Sequence, residues 1–323
     1  MRALAPHSSL RPDRHETFHH AALLYAGEAE FVSGTVPFIR QGLDAGEAVL
    51  VAVGGARIEL LQRELGRAAG AVDWMDMAGV GVNPARIIPV WRRFTAEHDA
   101  GGRVRGIGEP IWPGRTPEEL AEAQRHEQLL NLAFSQSPGF RLMCTYDVGG
   151  LHPSVVDEAR RSHPTIIQSG VEQPSASYRP TDAAMDLDEL PPPPPRATSE
   201  LALAGASPTA IRGLVSRAAA LVGLSEARRD DLTLAVLAVA TGLPEPTFQV
   251  WEERSAVVGQ VRSTGPIPDP LAGREWPPTD EGHGRGLWMA NQLCDLVQLR
   301  SSASGTAVRL RVEGDLEGRA RTR

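Results

Sequence analysis

The sequence predicts two domains: an α/β N-terminal domain built on a parallel sheet, and an α+β C-terminal domain of helices layered on antiparallel strands. Three observations lead there. Helical and strand-like segments alternate through residues 15–180. Across residues 199–313 two helices come first and most of the strands follow. Between the two patterns lie five consecutive prolines at 191–195, preceded by an acidic stretch of small residues. That composition makes an extended, semi-rigid spacer, so residues 181–198 read as an interdomain linker. A docking site for a proline-reading domain is the other reading of the same segment. Residues 1–14 and 314–323 read as flexible ends.

In the N-terminal domain Phe31, Val32, Val36, Ile39 and Leu43 recur at helical spacing over residues 28–43. The apolar run 48–53 reads as a strand covered on both faces, since it shows no polar alternation. Residues 57–65 are amphipathic, and 72–75 suit a second short strand. Asn83 is placed to N-cap a helix that opens with Pro84 and runs through Val90, Trp91 and Phe94. A strand at 104–107, a long helix at 117–134 and a strand at 140–146 continue the alternation, which implies a parallel sheet. In the C-terminal domain Ser207 with Pro208, and then Ser225, start two helices. Strands at 247–252, 256–262, 295–300 and 307–312 follow, with a Gly/Pro-rich stretch and a short helix at 287–293 before the third.

Composition excludes several function classes. With 323 residues, 41% hydrophobic and 23% charged, the chain holds enough apolar material for two cores. A formal charge of -7 argues against a binder held by phosphate contacts, so no direct nucleic-acid partner is expected. The chain contains no lysine, and all 33 basic residues are arginine. A Schiff-base lysine, a pyridoxal-phosphate site and a Walker-type Gly-Lys-Ser/Thr loop are therefore excluded. The two cysteines, Cys144 and Cys294, support neither a disulfide framework nor a Cys-rich zinc site, and fit a reducing cytosol. The longest apolar stretches, such as 232–243, are too short to span a bilayer. The N-terminus lacks the apolar core of a signal peptide, so a cytoplasmic chain with no membrane partner is expected.

The segment Glu281-Gly-His-Gly-Arg-Gly-Leu-Trp288 places Gly282, Gly284 and Gly286 in alternation just before a helix. Glycines there let backbone N–H groups approach a phosphate, and the helix dipole favours the negative charge. A flexible hinge is the plainer reading. Upstream lie Asp230-Asp-Leu-Thr-Leu-Ala-Val236, Val261-Arg-Ser-Thr-Gly265 and Asp269-Pro-Leu-Ala-Gly273, and downstream Asn291-Gln-Leu-Cys-Asp295. In this order, residues 199–313 resemble the GHKL ATP-binding domain of histidine kinases, and specifically its actinobacterial anti-sigma-regulator branch. The resemblance implies an ATP–Mg²⁺ site around Ser263, Gly265, Asp269, Gly282, Gly284 and Gly286.

Departures from the family's pattern bear directly on activity. Where the family carries a polarising Glu and a Mg²⁺-holding Asn, this chain has Ala238 and Gly242. Neither a methyl group nor a hydrogen replaces a carboxylate or a metal ligand. The family's adenine-binding Asp is Ser263 here, a shorter and uncharged acceptor. Together these changes imply a pseudokinase with no catalytic residues, whose fold is retained, whose phosphoryl transfer is lost and whose hold on ATP is weakened.

In the N-terminal domain five segments stand out: His20-Ala-Ala-Leu-Leu-Tyr25, Asn83-Pro-Ala-Arg-Ile-Ile-Pro89, Gly106-Ile-Gly-Glu-Pro-Ile-Trp112, His126-Glu-Gln-Leu-Leu-Asn131 and Cys144-Thr-Tyr-Asp147. Together they resemble the MEDS sensory domain, named from methanogen and methylotroph regulators. The resemblance implies small-molecule sensing on a fold related to RecA-like ATPases, here without a Walker loop. Glu109 and Asp147 each follow a strand, where parallel α/β sheets bind their ligands. The expected sensory pocket is lined by Glu109, Trp112, His126, Tyr146 and Asp147, with His20, Tyr25, Glu127 and Asn131 beside it. The plainer reading is that these groups hydrogen-bond to one another without a ligand. His15, His19, His20, His126, His163 and Cys144 show no Cys-x-x-Cys spacing and, beyond His15 and His19, no His-x-x-x-His spacing, so no metal site is expected.

The sequence thus supports a sensor–regulator whose output domain, by resemblance, binds a sigma factor or a STAS-type anti-anti-sigma protein, as a homodimer. Two alternatives remain open. One is an active ATP-dependent serine or histidine kinase; the other is an enzyme using Glu109, His126 and Asp147 as acid and base groups.

Overall fold

The computed structural model describes residues 18–98, 102–180, 189–276 and 283–314, the side chain of His283 excepted. The two expected flexible ends lie outside the described residues, apart from Gly314, as does Gly282.

The first half forms β1 (His19–Tyr25), α1 (Gly27–Asp44), β2 (Ala48–Val53), α2 (Gly55–Leu65), β3 (Asp73–Asp76), α3 (Met77–Val80), α4 (Ile87–Glu97), β4 (Val104–Gly108), α5 (Pro117–Ala133), β5 (Phe140–Asp147), α6 (Pro153–Ser162), β6 (Thr165–Gln168) and β7 (Val171–Pro174). Its seven strands lie in the order β3-β2-β4-β5-β1-β6-β7. All neighbours are parallel except β6 and β7, which form an antiparallel pair at the edge, so the sheet is mixed rather than purely parallel. Asn83 caps as expected, accepting from the Ala85 amide, but it caps a short 3₁₀ turn at residues 84–86, and α4 begins only after it. Helix α5 opens with a reciprocal capping box between Thr116 and Glu119.

Both faces of the sheet are buried, which is why its strands read as unbroken apolar runs. Leu23, Phe31, Ile39, Val51 and Leu61 form the core under α1 and α2. On the opposite face Leu24, Trp91, Leu130, Cys144 and Tyr146 pack under α4, α5 and α6. Gly106 lets Trp91 lie flat on β4: a Cβ there would stand 2.8 Å from the indole.

The second half forms β8 (Leu201–Ala202), α7 (Pro208–Ala219), α8 (Glu226–Ala240), β9 (Thr247–Glu253), β10 (Ala256–Ser263), α9 (His283–Leu293), β11 (Leu296–Ser302) and β12 (Gly305–Glu313). The five strands form an antiparallel sheet in the order β11-β12-β10-β9-β8. The three helices cover one of its faces through a core that includes Val215, Val236, Phe248, Leu287 and Leu310. Its other face meets the proline linker and α5. Arg309 donates to the Pro191 carbonyl at 2.6 Å and lies over the Trp251 ring. The linker residues from 189 onward are therefore laid along the sheet.

The two halves are joined by buried polar contacts. Glu122 of α5, fully buried, accepts from Arg274 at 2.9 Å and from Arg300 at 2.6 Å. The neighbouring Arg125 donates to the Leu299 carbonyl. On the far side of α9, Asn83 donates to Asn291, and Arg92 pairs with Glu275 at 2.5 Å. Among the described residues no helix is long and apolar enough to cross a membrane.

Candidate functional site

The carboxyl ends of β1, β2, β4 and β5 lie side by side, and each delivers a group to the same opening. Tyr25 ends β1, Gly54 follows β2 and caps α2, Glu109 follows β4, and Asp147 ends β5. Glu109, nearly buried, accepts from the Gly54 amide at 3.1 Å and forms an ion pair with Arg57 in the first turn of α2. Arg57 also reaches Asp147 at 3.6 Å and lies over the rings of Tyr25 and Phe31. A carboxylate at a helix N-terminus is favourably placed, because the free amides and the dipole both attract it. Asp76 adds a further carboxylate at the end of β3, 3.6 Å from where a Cβ on Gly55 would stand. The opening thus holds three carboxylates against one guanidinium, an arrangement that favours ligands rich in hydrogen-bond donors. The Tyr25 hydroxyl is buried there without a hydrogen-bond partner, and burial pushes its pKa up to about 12 against the opposing pull of Arg57.

The other expected pocket residues lie elsewhere. Alternation along β5 sends Asp147 towards α2 and Tyr146 under the helices of the opposite face. There His20, Glu127, Asn131, Cys144, Tyr146 and His163 cluster beneath the sheet. His20 stands 3.2 Å from Glu127, 3.0 Å from Asn131 and 3.4 Å from Cys144. His163 stands 2.9 Å from Glu127. Burial pushes the Glu127 carboxyl up, but the two imidazoles outweigh it and hold it below the usual carboxylate range. Burial, with the neighbouring His163, lowers His20 to about 4. His126 is buried and lowered to about 3 by desolvation, and its Nδ1 has no partner. Trp112 belongs to neither group; it packs on the core edge with Arg115 stacked 3.6 Å above its ring. The nine expected residues therefore do not line one pocket: Tyr25, Glu109 and Asp147 meet at the strand ends, His20, His126, Glu127, Asn131 and Tyr146 lie on the opposite side of the sheet, and Trp112 stands apart. Arg57, Gly54 and His163 join them without having been assigned to the pocket from sequence.

In the C-terminal domain the Ser263 hydroxyl donates to the Pro244 carbonyl at 2.6 Å and accepts from the Gly265 amide at 3.2 Å. Asp269 accepts from the Leu271 amide in a local turn. Both side chains are occupied with their own backbone. Helix α9 begins at His283, earlier than expected, so Gly284 and Gly286 lie in its first turns and not in a loop before it. Gly286 is there for packing: a Cβ would collide with the Ala238 carbonyl oxygen on α8. Gly242 adopts φ 85 just past the end of α8, where a side chain would be strained. A cleft of about 530 Å³ does open on this domain, lined in part by Arg125, Arg262, Ser263, Asp269 and Arg300.

The fold and the first opening define an α/β domain with polar and charged groups gathered at the carboxyl ends of a mostly parallel sheet. Comparison with known families is more specific. Residues 19–164 match the family described as MEDS, the methanogen/methylotroph, DcmR sensory domain, and this part of the chain is a MEDS domain. No curated protein matches the chain. A solved ATPase domain is similar to it with a TM-score of 0.32 and 12% identity, covering 48% of this chain and 70% of that one.

Proposed function

We propose that the chain is a sensor–regulator: the MEDS domain binds a small polar molecule at the opening around Glu109, and the C-terminal domain passes the signal on by binding a protein. The observation that carries this reading is α5. It is one continuous helix of the sensory domain, and its Glu122 is clamped by Arg274 and Arg300 of the other domain. A ligand that favours one placement of α5 shifts the state of the output domain by its differential affinity alone, with no chemical step. The partner proposed for the output domain is a sigma factor or a STAS-type anti-anti-sigma protein, as its GHKL-like motifs imply. A pseudokinase reading is supported by the methyl group of Ala238, the bare Gly242 and the self-satisfied Ser263 hydroxyl.

The test is titration calorimetry of Mg²⁺-ATP into the full chain, alongside pull-downs with purified sigma factors and STAS-domain proteins of the source genome. Association that is indifferent to ATP is the expected result. Association that requires Mg²⁺-ATP, or transfer of labelled phosphate to any partner, overturns the reading in favour of an active kinase.

A further inference from the structure

The cluster beneath the sheet poses a proton-counting problem. Asn131 donates its amide nitrogen to the Ser162 carbonyl at 2.8 Å, which turns its Oδ1 towards His20 Nδ1 at 3.0 Å. That oxygen only accepts, so His20 carries its proton on Nδ1 and presents a lone pair at Nε2. His163 is fixed in the same sense: its Nδ1 lies 2.8 Å from the Ala159 carbonyl, another pure acceptor, leaving Nε2 as a lone pair. Both Nε2 atoms converge on Glu127 Oε2, at 3.2 Å and 2.9 Å. With both Nδ1 protons so placed, two Nε2 lone pairs come within hydrogen-bond distance of one carboxylate, and the protons adjoining them are those of the Cys144 thiol, 3.4 Å from His20 Nε2, and of the Tyr146 hydroxyl. Both oxygens of Glu127, and His163 Nε2, are buried without a hydrogen-bond partner. Acceptors left bare in a dry interior are costly.

Two things resolve such a cluster: protons on the imidazoles, or a cation between the lone pairs. Protonating both rings is opposed by their proximity, with centroids 4.1 Å apart, and by complete burial, so the metal-free arrangement is a single proton on one ring with the Cys144 thiol donating to the other. The second resolution has a fourth ligand in place. Cys144 Sγ lies 3.4 Å from His20 Nε2, and one ligand atom from each of His20, Glu127, Cys144 and His163 falls within 4.8 Å of all the others.

We propose that His20, Glu127, Cys144 and His163 form a closed, four-ligand site for a divalent transition-metal ion, zinc by preference. Bonds of about 2.0–2.3 Å place tetrahedral ligands roughly 3.3–3.8 Å apart, so closure on the metal needs side-chain shifts of about an ångström or less. The charges balance: a dication, one carboxylate, one thiolate and two neutral imidazoles sum to zero in a site without water. Mixed thiolate, imidazole and carboxylate donors in a tetrahedral set select zinc over the hard cations. Asn131 and the Ala159 carbonyl, which hold the two Nδ1 protons, are the outer-shell acceptors that metal-bound histidines require. Binding converts the Cys144 thiol to a thiolate, and its proton leaves to solvent. The ligands come from β1, α5, β5 and the residue after α6, so the ion would tie α5 to the sheet. The proposal is independent of the partner reading and of any ligand at Glu109.

The test uses the full chain stripped with a chelator and titrated with Zn²⁺ or Co²⁺. One equivalent of Zn²⁺ is expected, and the Co²⁺ form should show tetrahedral visible bands with a thiolate-to-cobalt charge-transfer band. Cys144→Ser should remove that band and Cys294→Ser should keep it. Asn131→Ala should weaken Zn²⁺ binding roughly 10–100-fold. Zinc-edge X-ray absorption of the unmutated chain provides a reading that needs no variant: one sulfur among nitrogen and oxygen neighbours is expected. A chain that takes up no stoichiometric Zn²⁺, a charge-transfer band that survives Cys144→Ser, or a zinc shell without sulfur overturns the site.

Discussion

The guanidinium of Arg86, the last residue of the 3₁₀ turn before α4, donates to the main-chain oxygen of Cys294 at 2.8 Å, just past the end of α9 in the other domain. The same group reaches the carbonyls of Asn291 at 2.6 Å and Gln292 at 3.0 Å. The last carbonyls of a helix lack donors of their own and carry the negative end of its dipole. One arginine of the N-terminal half thus closes a helix of the C-terminal half. Arg86→Ala is expected to cost about 1–3 kcal/mol and to speed amide exchange at the end of α9. Unchanged exchange there would show that α9 ends without help.

The Glu122 clamp makes a larger prediction. Replacing Glu122 by Gln leaves Arg274, itself buried, facing a neutral group. Breaking a buried pair from one side costs about 3–5 kcal/mol. Trp74, Trp91 and Trp112 report on one domain, and Trp251, Trp276 and Trp288 on the other. Urea unfolding followed by tryptophan fluorescence should therefore split from one transition into two. A variant that keeps a single transition at the original midpoint would show that the clamp does not couple the halves.

The glycines of α9 separate packing from phosphate binding. A Cβ at Gly286 would collide with the Ala238 carbonyl, whereas one at Gly284 meets nothing within 4 Å. Gly286→Ala should lower stability by about 1–3 kcal/mol through overpacking. Gly284→Ala should be neutral or raise it by about 0.5–1 kcal/mol, since alanine loses less entropy in a helix. Thermal unfolding of the two variants decides between the roles; equal destabilisation would contradict the packing role of Gly286.

Tyrosine ionisation gives a pH signature. Burial raises Tyr25 to about 12 and, together with the Glu127 charge, carries Tyr146 well above the ordinary value. The folded chain keeps these protons where the unfolded chain loses them. The stability they contribute is present in full below pH of about 10 and is lost as pH rises through the folded-state value. Ultraviolet difference titration should show Tyr25 ionising late, and the Tyr25→Phe variant should lack that step. A Tyr25 step near the ordinary value would refute the burial argument.

Much of the fold is legible because its signals are local. The unbroken run of β2, the capping box of α5 and the serine caps of α7 and α8 each depend on a few adjacent residues. The strand β1 is harder to read than β2, because His20-Ala-Ala-Leu-Leu-Tyr25 is a run of helix-favouring Ala and Leu without the β-branched valines of β2. Helix α6 does carry a helical spacing in Val155, Ala159 and Ser162, whereas β6, β7 and β8 have too few residues for any periodicity. Proximity to strand ends brings Glu109, Tyr146 and Asp147 into one expected pocket, whereas the pleat sends Tyr146 and Asp147 to opposite faces. The cluster of His20, Glu127, Cys144 and His163 has no motif spacing at all, since four separate elements supply it. Glu122 gives no sign of its role, for its two arginines lie at positions 274 and 300.

Five positions of α5 separate Glu122 from Glu127, roughly 7.5 Å along the helix axis. Neither glycine nor proline interrupts that interval, so nothing in it can flex independently. A rod this short cannot answer to one end alone. Whatever free energy an event at Glu127 contributes to the contacts of Glu122 must be returned, with equal magnitude, when those contacts are altered first. On the proposed metal site, occupancy beneath the sheet and attachment at the far domain become two readouts of one equilibrium, and either is measured by perturbing the other.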